Sequence, residues 1–423
     1  MKQKAGKLSF IILAMTMTMG LMTGCSGKNS EKSESNDDKI TLNAISFMGE
    51  DTKRNGFNKV IEAYEKANPG VEIKIQNLDY GTFTTTLQTR IGANDAPDLI
   101  FGTAILNQEL VKSGQIEILN DYDILDQFTE DQLSCMTIEG NTYGVPLDRM
   151  VICAFYNKDM FEEYHVEVPS TLSEFYEVCQ TFEEAGVTPF IRPYKDAAYI
   201  QYDLDTQLYP IIDKIDDVGF FTDLESGKTS FSSSKEMKEA LELFAKRLSY
   251  LSGDDLGTDP AVSSQLFAAG ESPMYINGSW TVGDILANNP DGNFGIFAVP
   301  ISDNEDENKM YAAVDDAWMV SSKSKHKENA IDFLKFLTSK EGLQIWSENA
   351  KAIPINGMEV KSLDPLLQEV SEYIQSGKIV NVDKYVFFSG EATDKFNKNM
   401  QLFVNDPDVE KTLKTLDSEF QIQ

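Results

Sequence analysis

His165 and His326 are the only histidines, and Cys135, Cys153 and Cys179 are the only cysteines beyond the N-terminal segment. None of their spacings matches a zinc site or a Cys–His or Ser–His–Asp constellation, so nucleophilic and metal chemistry have thin support. His165 sits between acidic residues and His326 within the run Lys323 to Lys327, and both read as solvated surface positions. Carboxylates are the abundant group, 68 against 37 Lys plus Arg. So many acids always offer some pair at the separation glycoside hydrolysis needs. No catalytic motif surrounds such a pair, which makes a secreted glycosidase the lesser alternative. The residues suited to binding are different: aromatics make up 10% of the chain, and the apolar run Pro97-Asp98-Leu99-Ile100-Phe101 ends at Gly102-Thr103. In open α/β sheets ligands gather at the carboxyl ends of strands, so Phe101 and Thr103 are candidates. Phe47 to Glu50, after the first strand, are candidates on the same ground.

The N-terminus limits where such a site works. Lys2, Lys4 and Lys7 precede an apolar run from Leu8 to about Leu21, followed by Thr23-Gly24-Cys25. This is an export signal, too short to span a bilayer comfortably. Small residues directly before Cys25 resemble a lipoprotein signal, with Met22 where such signals usually carry Leu, so residues 1–24 are removed and Cys25 is lipidated. Ser26 to Lys39 carry no large apolar side chain and read as a flexible tether. Loss of three signal lysines takes the formal charge from -31 to -34. Such a field repels nucleic acid and disfavours anionic ligands. The 399 residues that remain of 423 are too many for a single core and suggest two domains.

The elements that position these residues alternate. Thr41 to Phe47 has strand periodicity; Phe57, Val60, Ile61 and Tyr64 recur at helical spacing; Asn68-Pro69-Gly70 stops that helix; and Val71, Ile73 and Ile75 restore period two. This βαβ order predicts an α/β fold with mainly parallel sheets flanked by helices. Farther on, the pattern predicts a helix from about Tyr80 to Ile91, a strand over Val151 to Phe155, and a helix opened by a Thr171/Glu174 capping box. It also predicts an amphipathic helix through Met237, Leu241, Phe244 and Leu248, a strand at Met274 to Ile276 with a turn at Asn277-Gly278, a strand from Phe294 to Val299, and a helix through Ala330 to Leu337.

Several segments jointly resemble the family 1 extracellular solute-binding proteins, the maltose-binding-protein-like receptors of ABC importers. They are Tyr64-Glu65-Lys66-Ala67-Asn68-Pro69-Gly70-Val71, Ala96-Pro97-Asp98-Leu99, Gly144 to Pro146 with Tyr156-Asn157-Lys158, Pro169-Ser170-Thr171 with Glu174-Phe175, Gly270-Glu271 with Met274 to Trp280, Phe294 to Pro300, and Ser324-Lys325 with Ala330 to Leu337. The resemblance spans about residues 40 to 350 and is loose over the C-terminal 70. It implies two lobes, an N-lobe of 40–147 plus 300–350 and a C-lobe of 148–299 plus 351–423. The chain would cross near Val145 to Met150, Ala298 to Pro300 and Asn349 to Ile355. The implied function is capture of a mono- or oligosaccharide between the lobes and delivery to an ABC permease by a lipid-anchored monomer, with no cofactor and no metal. A polyamine, amino acid or peptide cargo is the alternative within the same fold.

A sugar presents flat C–H faces and a rim of hydroxyls, which aromatic platforms and paired polar groups recognise. The resemblance assigns Trp280 the role of stacking platform and aligns Phe387 and Phe388 with an aromatic C-lobe contact, although such a pair equally suits a core. It turns Asp315, Asp316 and Trp318 toward the ligand, with adjacent carboxylates suited to hydroxyls. Asp148 and Arg149 fall at the implied hinge. Arg192, Tyr194 and Tyr199 follow a C-lobe strand, and one arginine there leaves the ligand's charge open.

Overall fold

The computed structural model describes residues 39–355, 360 and 363–420. The signal, Cys25 and nearly all of the tether lie outside the described residues. The described residues form one compact unit. Its strands run in chain order β1 (Ile40–Ser46), β2 (Val71–Asn77), β3 (Leu99–Phe101), the small hairpin β4 (Thr137–Ile138) and β5 (Asn141–Thr142), β6 (Gly144–Pro146), β7 (Asp148–Asn157), β8 (Phe190–Ile191), β9 (Met274–Gly278), β10 (Phe294–Phe297), β11 (Met310–Val314), β12 (Ala317–Val320), β13 (Ile353–Pro354) and β14 (Ile379–Asn381).

Two larger sheets result. The first has the order β2-β1-β3-β12-β6 and the second β14-β11-β7-β9-β8, with β10 and β13 also paired to β7. Period-two alternation gives each sheet an apolar layer on both faces. In β1, Leu42 and Ala44 face one core and Ile45 the other. In β7, Ile152 and Ala154 oppose Val151, Cys153 and Phe155. Both sheets are mixed rather than mainly parallel. β1 runs parallel to β2 and β3, but β12 is antiparallel to β3 and β6. β7 is antiparallel to β9, β10, β11 and β13. Antiparallel pairing needs no long crossover, so strands that arrive from the other lobe can join an edge in either direction, which local βαβ spacing does not reveal.

The second crossing also differs from the expectation of 298–300. Ile301 belongs to the core beneath the second sheet, and Met310–Val314 pairs with Arg149 to Ile152 of β7. The chain leaves the second sheet only at Asp315-Asp316 and enters the first at Ala317. The reason is main-chain pairing: β11 fills the hydrogen-bonding edge along the first half of β7 that would otherwise be open.

Local signals explain the helices near the site. Asp51–Ala67 buries Phe57, Val60, Ile61 and Tyr64, and Asn68 caps it with its N–H on the Tyr64 carbonyl. The capping box forms: Glu174 N–H donates to Thr171 Oγ1 at 3.3 Å, and Thr171 N–H donates to the Glu174 carboxylate at 3.1 Å. Asn277-Gly278 is the end of β9 rather than a turn, and Gly278 has an ordinary extended φ of -82°.

Candidate functional site

Three chain segments converge where the sheets meet: Leu147 with Asp148 at the start of β7, Asp315-Asp316 between β11 and β12, and residues 352–355 around β13. Asp148 is fully buried. One of its oxygens accepts from the Asp316 N–H and the other from Trp346 Nε1, both at 2.8 Å. The Ile355 N–H donates to the Leu147 carbonyl at 3.1 Å. Into this junction the Asp51–Ala67 helix inserts Lys53, which is 3% exposed and whose ammonium donates to Asp316 at 2.5 Å and also to Asp315.

Burying three carboxylates with one cation shifts every group. Desolvation, opposed by Lys53 and reinforced by Asp315, lifts Asp148 to about 6. Desolvation, opposed by Lys53 and reinforced by Asp316 and Glu50, lifts Asp315 to about 7. Asp316 is raised well above the carboxylate range by burial and then by Asp148, with which it shares a hydrogen bond. Burial alone would lower Lys53, but Asp315, Asp316, Asp148 and Glu50 more than offset it and keep the ammonium charged. Side-chain exposure falls from 19% at Asp315 to 3% at Asp316, so Asp315 is the member with a face toward solvent.

A second group of residues is aromatic. Trp280, in the turn after β9, is partly buried and meets Tyr202 edge to face at 5.3 Å. Tyr202 meets Tyr199 in the same way at 5.5 Å. Burial first, then neighbours that include Tyr275, Tyr202 and Glu50, raises the Tyr199 hydroxyl. The charge of Glu50, at the start of the Asp51–Ala67 helix, acts on Tyr199 and also on Asp315 and Asp284. Thr52 donates to Asp284 Oδ1 at 3.4 Å, and a Cβ on Gly283 would fall 2.9 Å from Thr52, so the start of the Asp51–Ala67 helix touches the start of the helix Val282–Asn288. Trp280 and Tyr199 are therefore joined through Tyr202, and the Glu50 charge acts on both Tyr199 and Asp315. Aromatic edges, hydroxyls and carboxylates in one place can stack on and hydrogen-bond a small polar guest.

Other sequence candidates lie elsewhere. Trp318 is fully buried, stacked on Phe57 at 4.6 Å and edge-on to Phe101, so it builds the first core. Phe101 is 2% exposed and joins it there. Phe47 packs edge-on against Phe83 and Phe101. Thr103 accepts from the Leu106 N–H in a turn. Arg192 is buried, donating to Asp255 at 3.1 Å and to the Arg247 carbonyl at 2.6 Å. The buried Tyr194 hydroxyl donates to Asp203. Phe387 and Phe388 pack with Phe221 and Phe396, which is the core alternative. Arg149 bridges to Asp131 at 2.9 Å on the flank of the junction. Sequence reasoning missed Lys53, Tyr202 and Asp284. Lys53 carried a usable signal, because it precedes Phe57 by four and so shares the buried face of its helix.

Residues 50–344 match the family model described as bacterial extracellular solute-binding protein. The chain belongs to that family. It is 24% identical over 360 residues to the multiple sugar-binding protein of Streptococcus mutans serotype c, covering 83% of each chain. It is 24% identical over 374 residues to the galactooligosaccharide-binding protein of Bacillus subtilis, covering 86% of this chain and 84% of that one. Among solved structures it superposes on SBP RafE in complex with raffinose with a TM-score of 0.77 and 22% identity, over 90% of this chain and 99% of that one. That likeness establishes the two-lobe solute-binding fold.

Proposed function

We propose that this chain is an extracytoplasmic receptor that binds a mono- or oligosaccharide between its lobes and delivers it to an ABC permease, held at the membrane by a lipid on Cys25. The observation that carries the reading is the cluster of Trp280, Tyr202 and Tyr199 together with Glu50, whose charge acts on both Tyr199 and the 19%-exposed Asp315 side chain. A guest that touches both sets stabilises the closed arrangement of the lobes. The names of the relatives support a sugar, and another family relative is described as an ABC transporter extracellular-binding protein. The lobes take in residues 40–147 with 317–350, and 148–314 with 351–420, joined by the three crossing segments. The protein acts as a monomer and turns nothing over.

The test is a thermal-shift and calorimetric screen of neutral mono- and oligosaccharides, uronic acids and polyamines. A true ligand at 100 times its Kd adds about 2.7 kcal/mol to stability. Stabilisation by neutral saccharides alone supports the reading; stabilisation by polyamines alone overturns it. Incorporation of labelled palmitate that disappears in Cys25→Ala tests the anchor.

A further inference from the structure

Lys53 is a charged side chain of the first-lobe helix, buried where the chain passes between lobes, and no ligand-stacking role explains it. Its ammonium serves two carboxylates at once, Asp315 and Asp316. Asp148, Asp315 and Asp316 each place an oxygen within 4.8 Å of the others. Without a cation, three carboxylates this close and this buried cannot all ionise. Lys53 bonds Asp315 through Oδ2, and Oδ1 takes no hydrogen bond among the described residues. Asp315 is also the member with solvent exposure, beside Glu50 and Tyr311.

We propose that Lys53 is a positioning residue for ligand capture: its ammonium holds Asp315 ionised, with Oδ1 turned to the interlobe site, and ties that carboxylate to Asp148 and Asp316 at the crossing segments. This rests on the proposed receptor function. An ionised acceptor forms hydrogen bonds with hydroxyl donors roughly twice as strong as a neutral one does, so the charge state of Asp315 sets affinity. The charged and titratable groups around Asp315 are Lys53 and Glu50 from the first-lobe helix, Asp148 and Asp316 from the crossing segments, and Tyr311 from β11. Lys53 favours the ionised form; Glu50, Asp148 and Asp316 oppose it. The carboxyl titrates at about 7, so affinity falls as pH drops below neutrality.

Two variants must move that profile in opposite directions. Lys53→Met removes the cation and shifts the midpoint to higher pH. Glu50→Gln removes a competing negative charge at the start of the helix and shifts the midpoint to lower pH. A shift of one pH unit changes the ionised fraction about tenfold on the unfavourable side of the midpoint. The experiment is 13C NMR of γ-labelled aspartate in the full chain from pH 5 to 9, with Asp315 assigned through Asp315→Asn, alongside Kd against pH for the saccharide with the largest thermal shift. Opposite shifts of the Asp315 resonance, followed by Kd, support the assignment. Unmoved midpoints, or shifts in the same direction, overturn it even if both variants lose stability. The carboxyl titration uses ligand-free protein, so a wild type that binds no saccharide at any pH defeats the receptor reading separately.

Discussion

Gly278→Ala isolates the role of Trp280 better than deleting the ring. The Gly278 backbone, at φ -82° and ψ 153°, accepts any residue, so glycine is not needed there for its conformational freedom. What requires it is the Trp280 ring, which lies across its α-carbon so closely that a Cβ would overlap the ring. Alanine must push the ring aside, at a cost of about 0.5 to 1.5 kcal/mol for a strained rotamer and a similar amount for the lost edge-to-face pair with Tyr202. Stability should therefore fall by about 1 to 3 kcal/mol, with the sheet intact. If the ring is a platform for the ligand, affinity falls by a further ~1 to 3 kcal/mol, the range of aromatic stacking losses on other ligands, or roughly 5- to 150-fold. Calorimetry measures the affinity, near-ultraviolet circular dichroism reports the ring's displacement, and Trp280→Ala completes a double-mutant cycle. The added alanine should cost no affinity once the ring is gone. Wild-type affinity in a variant whose tryptophan spectrum has changed would refute the stacking role.

Arg192→Ala leaves the Asp255 carboxylate and the Arg247 carbonyl without their donor in a buried setting, so it should cost about 3 to 5 kcal/mol in denaturant unfolding while the folded fraction keeps its ligand affinity. Gly56→Ala gains about 0.5 to 1 kcal/mol of helix propensity but drives a Cβ to 2.7 Å from that of Ala350 and 2.8 Å from its backbone nitrogen. Overpacking of about 1 to 3 kcal/mol wins, so the variant is less stable, whereas Gly92→Ala, with no atom within 4 Å, is not. Asp148 and Asp383, raised by burial to about 6, and Asp315, raised by burial to about 7, bind protons more tightly folded than unfolded. Their contribution is fully present below the unfolded carboxyl range and is lost as pH rises through 6 to 7. Carboxyls held low, such as Glu174 by the Ser170 and Thr171 amides, act in the opposite sense only at lower pH. The melting temperature should therefore fall from pH 5 to pH 8, and a rise over that interval would contradict the burial of these acids.

Much of the fold was legible because its signals are local. Four buried apolar positions at helical spacing make Asp51–Ala67 a helix whatever it packs against, and the Thr171/Glu174 box closes within one turn. Period two in β1 and β7 specifies strands with apolar residues on both faces. The charge balance and the scarcity of histidine were equally plain. The helix Ala197–Asp213, by contrast, buries Asp203, Asp205, Thr206 and Gln207 and contains Pro210. It breaks the apolar pattern, and Tyr202 went unnoticed with it.

Which strand edge receives a distant segment depends on pairing between residues more than a hundred positions apart, and that alone sends Met310–Val314 to β7 and moves the crossing to Asp315-Asp316. The candidate site divides in the same way. The family resemblance marked Trp280 and Asp315, and position at strand ends marked Glu50 and Arg192. Tertiary packing turned Arg192 inward to Asp255, buried Trp318 against Phe57, and set Lys53 among three carboxylates. A side chain's chemistry is fixed by its covalent structure, but its partners, its solvation and hence its charge are fixed by what the folded chain brings beside it.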